Sequence, residues 1–581
     1  MKQFLKFTLA TIVGVIVTSL LGLLIFFGIL GAIAGSAEKV TELKSNSIYQ
    51  LDLNGSLVDR SEEDPFSAAL AEAFGQPEQK IIGLDDVLAN IEKAKNNDNV
   101  KGIYLKGGTL YGGFASIKEI RDALIDFKKT GKFIVAYADN YIQSNYYLVT
   151  VADKILINPQ GMLELKGLAA DLVFYKNTLD KIGVEMQVVK VGTFKSAVEP
   201  YITTKMSDAN REQVTVYMTS IWKTMLNQIS ESRKISVDTL NAYADQMMMF
   251  QPTEKSKQYS LVDSLVFADE VDSILTSYVS DYKLVKHTAM NNLPTNKKFE
   301  KSKVAVIYAV GAIDGGSNEG IISDKLVETI NDVAKDDAVK SVVFRVSSPG
   351  GSAYGSEQIW RALTKLKAKK PLIVSMGDYA ASGGYYISCM ADVILAQPNT
   401  ITGSIGIFGL IPNIAGLNNK IGLTYDGVKT NKLSDAISIN RPFRPEERDL
   451  MQNYVNRGYE LFVKRCADGR KMSIDQIKAI AEGRVWTGED ALKIGLVDKI
   501  GGIDEAIQIA VDKAKLTAYN VKEYPVKEDF ATKLMKSFGE DMETRFIKAQ
   551  LGEQYKLFRE IKNIEKINGI QARLPYELII K

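Results

Sequence analysis

The sequence is almost free of histidine, since His287 is the one such residue among 581. It lies in the polar stretch Lys286-His287-Thr288 between two predicted structured regions, where we expect a solvated surface residue. A Ser-His-Asp triad, a Cys-His pair or a multi-histidine metal site needs histidine at the site. These mechanisms are therefore close to excluded, and we predict no metal and no other cofactor.

The sequence also contains few cysteines and carries little net charge. Cys389 and Cys466 form no metal-ligand spacing, and we expect two buried free thiols rather than a disulfide. The formal net charge is +2, so no overall basic field indicates nucleic acid as a partner. The composition, with 46% hydrophobic and 24% charged residues, is that of a globular protein, and the length fits two to four domains.

The amino-terminal segment carries a long uncharged run. No charged residue occurs from Leu9 to about Ala34, which is enough chain to span a hydrocarbon core of about 30 Å. We expect a retained transmembrane anchor in residues 1–40, although the small residues 34–37 leave cleavage of a signal peptide open. Lys2 and Lys6 should stay in the cytoplasm, which places the rest of the chain on the outer side of the membrane.

The remainder of the chain contains one unit written twice. Residues 101–105 (KGIYL) match residues 340–344 (KSVVF), which lie 239 positions later, and this register holds without gaps over about 80 residues. The offset then falls to 237 at Arg211 and Arg448. A match of this length indicates duplication. We assign the repeats to residues 41–285 and 303–525, separated by a polar linker at 286–302 and followed by a charged, helical tail at 526–581.

Each half alternates short β-branched runs with helical stretches. In the second half we predict strands at 304–310, 341–346 and 372–375, and helices at 324–334 and 356–368. Apolar strands separated by helices indicate an α/β fold with mostly parallel sheets and right-handed crossovers. Sites in such sheets lie beyond the carboxyl ends of the strands, where the glycine-rich segments of this chain fall.

Two glycine-rich turns follow predicted strands. Residues 347–352 (SSPGGS) expose backbone N–H groups that suit an oxyanion hole, although from this segment alone we favour a tight strand-to-helix turn without a catalytic role. Ser382 precedes two glycines and opens a helix near Tyr385. A serine there is usually a helix cap, but the free N–H of Gly383 resembles a nucleophile on a strand-turn-helix elbow.

Two further segments carry candidate chemistry. Residues 402–409 (TGSIGIFG) alternate glycine, which is typical of a strand that pairs with an extended peptide or of a buried strand packed on a helix. Lys195 lies in residues 191–200 (VGTFKSAVEP), whose composition permits burial. Burial lowers the pKa of a lysine toward the range of a general base, whereas a solvated lysine would be a surface charge.

Taken together, these four segments resemble the signal peptide peptidase A family in its long, duplicated form, and the match extends to residues 483–488 and 495–498. The resemblance implies two tandem repeats with a fold similar to the Clp protease and the crotonases, assembled as a dome-shaped homotetramer. It implies a single-pass protein of the bacterial inner membrane, with its catalytic domain on the periplasmic side. The implied substrates are cleaved signal peptides and other hydrophobic peptides.

The resemblance also implies roles for individual residues. Ser382 would be the nucleophile of an acyl-transfer reaction, and Lys195, supplied by the other half of the chain, its general base. Ser404 would orient the lysine amine, and the N–H groups of Gly383 and Gly351 would hold the oxyanion.

The duplication allows each half to be searched for the same parts. At the offset of 239, Ser382 falls on Gln143, so the first half has lost the nucleophile. At 237, Lys195 falls on Lys432, which lies 50 residues after Ser382 and is the alternative base. The residues flanking Lys195 match the long-form lysine segment and those of Lys432 do not, so we favour Lys195. The nearby Glu199 is expected to point away from it.

Two other functions are compatible with parts of this pattern. A crotonase-like acyl-CoA enzyme shares the fold and the Gly-Gly turns, but acyl-CoA is cytoplasmic and the predicted topology is not. A catalytically inactive membrane scaffold would not be expected to keep Ser382, Lys195 and Ser404 together.

Overall fold

The computed structural model describes residues 6–8, 10–22, 42–61, 80–294, 300–315, 320–527 and 569–574. Residues 6–8 and 10–22 are helical. Within these described ranges, no helix has both the length and the apolar character needed to cross a membrane. The second half of the predicted anchor and residues 528–568 and 575–581 of the predicted tail lie outside the described residues.

The first repeat is built on a parallel sheet. The strands of the first repeat are β1 (Ser47–Val58), β2 (Ile81–Gly83), β3 (Val100–Tyr111), β4 (Phe133–Tyr141), β5 (Lys154–Leu163), β6 (Glu185–Lys190), β7 (Ser264–Leu265) and β8 (Lys283–Lys286). Its helices are α1 (Leu84–Lys95), α2 (Phe114–Lys128), α3 (Gln143–Val149), α4 (Lys176–Ile182), α5 (Glu199–Ile202), α6 (Asp208–Arg233), α7 (Val237–Ala244), α8 (Thr253–Gln258), α9 (Val271–Tyr278) and α10 (His287–Asn291). The sheet order is β2-β1-β3-β4-β5-β7. Strand β8 pairs with residues 47–50 of β1, on the edge of β1 that faces away from β3.

The second repeat has the same plan. Its strands are β9 (Lys303–Val310), β10 (Val339–Ser348), β11 (Gly350–Ser352), β12 (Leu372–Ala381), β13 (Val393–Ala396), β14 (Ile401–Gly403), β15 (Phe408–Asn413), β16 (Val485–Thr487), β17 (Lys499–Ile500) and β18 (Asn520–Tyr524). Its helices are α11 (Ser323–Lys335), α12 (Ala353–Lys367), α13 (Gly383–Tyr386), α14 (Ala415–Ile421), α15 (Pro445–Arg470), α16 (Ile474–Ile480), α17 (Gly488–Lys493) and α18 (Ile503–Lys513). The order β16-β14-β12-β10-β9-β18 is parallel except between β14 and β16.

The helix bounds agree with the predicted duplication. Helices α2 and α12 begin and end 239 residues apart, as do α4 and α14. The long helices α6 and α15 differ by 237 at both ends. The strands and helices predicted for the second half are all present, and most run a few residues longer than predicted. The prediction of an α/β fold with two repeats and mostly parallel sheets is confirmed.

A separate antiparallel sheet joins the two repeats. Its order is β11-β19-β15-β6, where β19 (Gly569–Arg573) comes from the tail region and β6 from the first repeat. Pairing of β6 with all six residues of β15 delivers the segment that follows β6 to the second repeat. Residues 569–573 thus form a strand where we predicted a helical tail, since both of their edges find strand partners.

Buried charges also fix the repeats to each other. Arg345 of β10 lies 2.7 Å from Asp59 and 2.7 Å from Glu119 of the first repeat, and all three side chains are buried. Burial raises the pKa of Glu119 to about 7, against the opposing effect of the Arg345 charge. On β12, Asp378 accepts hydrogen bonds from the N–H and hydroxyl of Ser116 at the start of α2. Buried charges are tolerated when paired in this way, so β10 and β12 are held in register with the first repeat.

Residues of the predicted linker pack on the first repeat. Strand β8 pairs with β1, and α10 buries Ala289 and Met290. The expectation that His287 is solvated is wrong, because its Nδ1 lies 2.7 Å from the Tyr49 hydroxyl and the ring is half-buried. The two cysteines are buried and free, as predicted.

Candidate active site

Ser382 lies where β12 ends and α13 begins. Its backbone has φ 55° and ψ −112°, a conformation that non-glycine residues rarely adopt. The surroundings impose it: the Ser382 N–H donates to the carbonyl of Gly403 at 2.8 Å, and its own carbonyl accepts from Tyr386 at 2.8 Å. The sharp turn thus holds the serine hydroxyl at the carboxyl edge of the sheet, as the sequence predicted.

Lys195 reaches this serine from the first repeat. Its Nζ lies 2.8 Å from Ser382 Oγ, 3.0 Å from Ser404 Oγ and 3.1 Å from the Ser404 carbonyl oxygen. All three residues are 0% exposed. A neutral lysine amine has two N–H donors and one lone pair. Ser404 can take both donors, which leaves the lone pair for the Ser382 hydroxyl proton.

The amine is held without a compensating negative charge. Burial lowers the pKa of Lys195 to about 7, and the hydrogen bonds that its amine makes among the described residues go to Ser382 and Ser404, not to a carboxylate. The carboxylate of Glu199 accepts from the Ser207 hydroxyl and the Asn210 amide instead, so it points away as expected. The desolvated amine therefore loses its proton far more easily than a lysine in water.

The loop that carries Lys195 is clamped by residues for which the sequence analysis assigned no role. Gln213 of α6 donates to the Phe194 carbonyl at 3.0 Å and accepts from the Val485 N–H at 3.2 Å. The Phe194 N–H donates to the Glu482 carbonyl at 2.9 Å. Gly483 has φ +76°, and a Cβ there would lie 2.7 Å from Lys195 Cβ. Residue 483 must therefore lack a side chain, so that Lys195 can pack against its backbone and reach Ser382.

The glycine turn lies against the serine elbow. Gly350 has φ +97°, and a Cβ added to it would lie 2.7 Å from the Gly383 N and 2.1 Å from the carbonyl oxygen of Ala572. Gly351 pairs with Ala572 in the antiparallel sheet. The structure therefore brings Gly351 and Gly383, the two predicted oxyanion residues, to one place together with a peptide carbonyl.

The alternative residues are not brought together. Lys432 is exposed, and its Nζ lies 2.7 Å from Glu446 rather than near Ser382. In the first repeat, Gln143 occupies the position of Ser382, and its side-chain oxygen accepts from the N–H groups of Lys166 and Gly167. Neighbouring Ser144 donates to the Leu110 carbonyl. The first repeat has no equivalent of the Ser382–Lys195 contact.

A serine hydroxyl in contact with a buried lysine amine is an arrangement by which serine hydrolases activate a nucleophile. Comparison with known families gives the particular family. The model of Peptidase family S49 matches residues 126–279 and 364–517, one match in each repeat. The chain belongs to peptidase family S49 in its long, duplicated form and is a serine peptidase.

Individual relatives agree over most of the chain. Protease 4 of Salmonella typhi is 36% identical over 93% of this chain and 87% of its own length, and Protease 4 of Haemophilus influenzae is 35% identical over 84% and 83%. The chloroplastic serine protease SPPA of Arabidopsis thaliana is 31% identical over 75% and 66%. Among solved structures, a ClpP1 chain of Listeria monocytogenes covers 35% of this chain and 94% of its own, at 13% identity and a TM-score of 0.25.

The Gly483 contact generates the first prediction. Gly483→Ala should lower peptide hydrolysis by about 100-fold or more, because its Cβ forces the Lys195 backbone away from Ser382. Gly422→Ala is the matched control, since Gly422 has φ +79° and no atom within 4 Å of an added Cβ. The left-handed backbone should cost each variant roughly 1–2 kcal/mol of stability, measured by denaturant unfolding, and Gly483→Ala should lose more because its Cβ also displaces Lys195. Equal activities in the two variants would contradict the assignment.

Proposed function

We propose that this serine peptidase is an endopeptidase that uses Ser382 and Lys195 as a catalytic dyad. The observation that carries the proposal is the 2.8 Å contact between Lys195 Nζ and Ser382 Oγ inside a site from which water is excluded. Neutral Lys195 accepts the hydroxyl proton as Ser382 Oγ attacks the scissile carbonyl, and the same proton then passes to the leaving amine. Water hydrolyses the acyl-enzyme with Lys195 again as the base.

The groups around the dyad support two further roles, the orientation of the lysine amine and the stabilisation of the oxyanion. Ser404 contacts the amine through both its hydroxyl and its carbonyl oxygen, so it orients the lone pair of Lys195 toward Ser382. The N–H groups of Gly351 and Gly383 stabilise the oxyanion of the tetrahedral intermediate. Both groups belong to backbone that is fixed before the substrate binds, which is the condition for effective electrostatic stabilisation.

Hydrophobic, extended peptides, including cleaved signal peptides, are the proposed substrates. Strands β11 and β15 flank β19 in the antiparallel sheet, so their facing edges are spaced to hold one extended chain by main-chain hydrogen bonds. The adjoining side chains of Phe408, Leu410 and Val189 are apolar and buried. A charged segment would lose hydration here without gaining a partner.

Variants of the dyad test this proposal. Ser382→Ala and Lys195→Ala should each reduce hydrolysis of a hydrophobic signal-like peptide by a factor on the order of 10⁴ or more. Lys432→Ala is the matched control and should change the rate by no more than about twofold, because Lys432 lies on the surface. Full activity in Lys195→Ala with loss in Lys432→Ala would contradict the dyad. A wild type without hydrolysis would favour an inactive membrane scaffold.

The pH dependence gives an independent test. Only neutral Lys195 can accept the proton, so kcat/KM should fall about tenfold per pH unit below pH 7 and level off above it. A profile recorded from pH 5 to 9 with an uncharged peptide measures this inflection. Lys195→Arg should be inactive throughout the range, since a guanidinium keeps its proton. A flat profile in the wild type would exclude Lys195 as the base.

We further propose a membrane anchor at the amino terminus. The uncharged run from Leu9 to about Ala34 and the preceding Lys2 and Lys6 support an inner-membrane protein whose catalytic part faces the periplasm. Such an anchor would hold the cleft near the membrane, where cleaved signal peptides remain.

We also propose that copies of the chain assemble head to tail into a homotetramer. Within one chain, residues 185–190 of the first repeat pair with residues 408–413 of the second. The equivalents of these segments by the duplication are 424–429 and 169–174, and neither forms a strand. Val428 is 104% exposed and Val173 63% exposed. Exposed apolar side chains on two segments that are equivalent to a strand pair are suited to contact between copies, since each copy offers one segment of each kind.

The assembly and the anchor are tested together. The full chain should require detergent for extraction from membranes and should then sediment as a tetramer. Val428→Asp and Val173→Asp should each give smaller species, because a desolvated carboxylate has no partner in the paired edge. Ile474→Asp, at an exposed residue outside both segments, is the control and should remain tetrameric. A chain that needs no detergent contradicts the anchor, and unchanged sedimentation of both variants contradicts the interface.

A further inference from the structure

A cavity of about 570 Å³ lies at the carboxyl edge of the sheet in the first repeat. We call it the first-repeat cavity, and residues 109–114 and 142–144 form much of its wall. Two of these residues, Gly112 and Gln143, lie 239 positions before Gly351 and Ser382. By the duplication, the cavity is therefore the counterpart of the cleft beside Ser382. Its volume falls within the range of about 300–1,000 Å³ that is usual for ligand pockets.

The second repeat closes the opposite side of the first-repeat cavity. Tyr379 of β12 and Ile401 of β14 line it and pair with each other in the sheet. Tyr379 lies three residues before Ser382, and Ile401 lies three residues before Ser404. At about 3.3 Å per residue, the cavity wall is roughly 10 Å along these strands from the proposed dyad. A bound molecule would thus contact both strands that position the dyad.

The first-repeat cavity cannot repeat the reaction of the second repeat. The side chain of Gln143 is hydrogen-bonded to backbone groups through both its oxygen and its nitrogen. The Ser144 hydroxyl donates to the Leu110 carbonyl at 3.1 Å. Lys166, the lysine in the wall, forms an ion pair with Glu164 at 2.6 Å. The cavity therefore has room for a ligand but offers no activated nucleophile.

One polar side chain in the wall has no partner. Asn399 is 4% exposed, and neither its amide oxygen nor its amide nitrogen is hydrogen-bonded within the part of the chain that the structure describes. The next residue holds its backbone in place, since the Thr400 N–H donates to the Gln397 carbonyl at 3.0 Å and the Thr400 hydroxyl to the Gly377 carbonyl at 2.8 Å. A buried amide without a partner costs free energy, which a ligand with one acceptor and one donor would recover.

The rest of the wall selects the charge of the ligand. Lys166 is already paired with Glu164, and the Asp378 carboxylate accepts two hydrogen bonds from Ser116. The wall thus offers no unpaired cation to an anion, and its two carboxylates repel one. Most of the remaining wall is apolar, contributed by Leu110, Phe114, Ile142, Ile221 and Ile401. An uncharged, apolar molecule with a peptide-like amide matches this lining.

We propose that the first-repeat cavity is an accessory, non-catalytic binding site for an uncharged hydrophobic peptide segment. The main-chain carbonyl of the peptide accepts from Asn399 Nδ2, and a main-chain N–H donates to Asn399 Oδ1. The site holds a second stretch of hydrophobic chain close to the strands of the dyad. The ligand belongs to the same chemical class as the proposed substrate, but binding in the cavity does not require the dyad.

Photocrosslinking of the full chain in detergent tests the site. The probe is a short leucine–alanine peptide, acetylated and amidated, that carries one photoreactive leucine. Ser382→Ala prevents turnover, so mass spectrometry of its tryptic digest should find label in residues 109–114 or 399–401. The same peptide with a free carboxylate should label these residues about fivefold less, because the carboxylates of the wall repel it.

A substitution at Asn399 separates binding from a structural role. In the Ser382→Ala background, Asn399→Leu should reduce labelling of the first-repeat cavity about tenfold and leave labelling beside Ser382 unchanged. The midpoint of thermal unfolding should not fall, because an unpartnered buried amide is replaced by an apolar group. Asn456→Leu is the matched control, at an exposed asparagine of α15 outside the cavity, and should change neither quantity.

Three results would overturn the proposal. The first is the absence of label in residues 109–114 and 399–401. The second is stronger labelling in Asn399→Leu, which would indicate an apolar ligand that does not use the amide. The third is loss of labelling together with a lower unfolding midpoint, which would assign Asn399 a structural role. Failure of the wild type to hydrolyse the capped peptide would contradict the dyad, and labelling in Ser382→Ala would still decide the accessory site.

Discussion

The site depends on one physical constraint, the exclusion of water from the amine of Lys195. A lysine in water keeps its proton well above neutral pH, whereas burial lowers the pKa of Lys195 to about 7. At about 1.4 kcal/mol per pKa unit, charging this amine is on the order of 5 kcal/mol harder than in water. Since no carboxylate in the described part of the chain pairs with it, the neutral amine competes with the charged one near neutral pH. The junction of the repeats therefore determines the chemistry.

The junction between the repeats places two buried basic side chains, Arg345 and Lys195, in opposite electrostatic environments. Arg345 lies between Asp59 and Glu119 and stays charged, which holds β10 against the first repeat. Lys195 faces only hydroxyl and carbonyl oxygens of Ser382 and Ser404, which accept hydrogen bonds but supply no negative charge. One cation stabilises the interface and the other is prepared to lose its proton. Neither environment exists in a single repeat, because each contains side chains from both.

The duplication has also changed what each repeat does. At the position of Ser382, the first repeat has Gln143, whose amide braces residues 166 and 167 through backbone hydrogen bonds. A serine hydroxyl is too short to make these contacts. The first repeat thus has a structural group at the position where the second repeat has the proposed nucleophile, and it supplies β6 and Lys195 to the second repeat.

The sequence predicted those features of the fold and the site that depend on a local pattern of residues or on the resemblance to a known family. The positions of three strands and two helices in the second repeat, the elbow at Ser382 and the grouping of Lys195 with Ser404 were all predicted. Gln213 and Gly483 were given no role, because their contacts with the Lys195 loop depend on an approach between distant parts of the chain. His287 was misjudged for the same reason, since a polar neighbourhood in sequence says little about a Tyr49 hydroxyl 238 positions away.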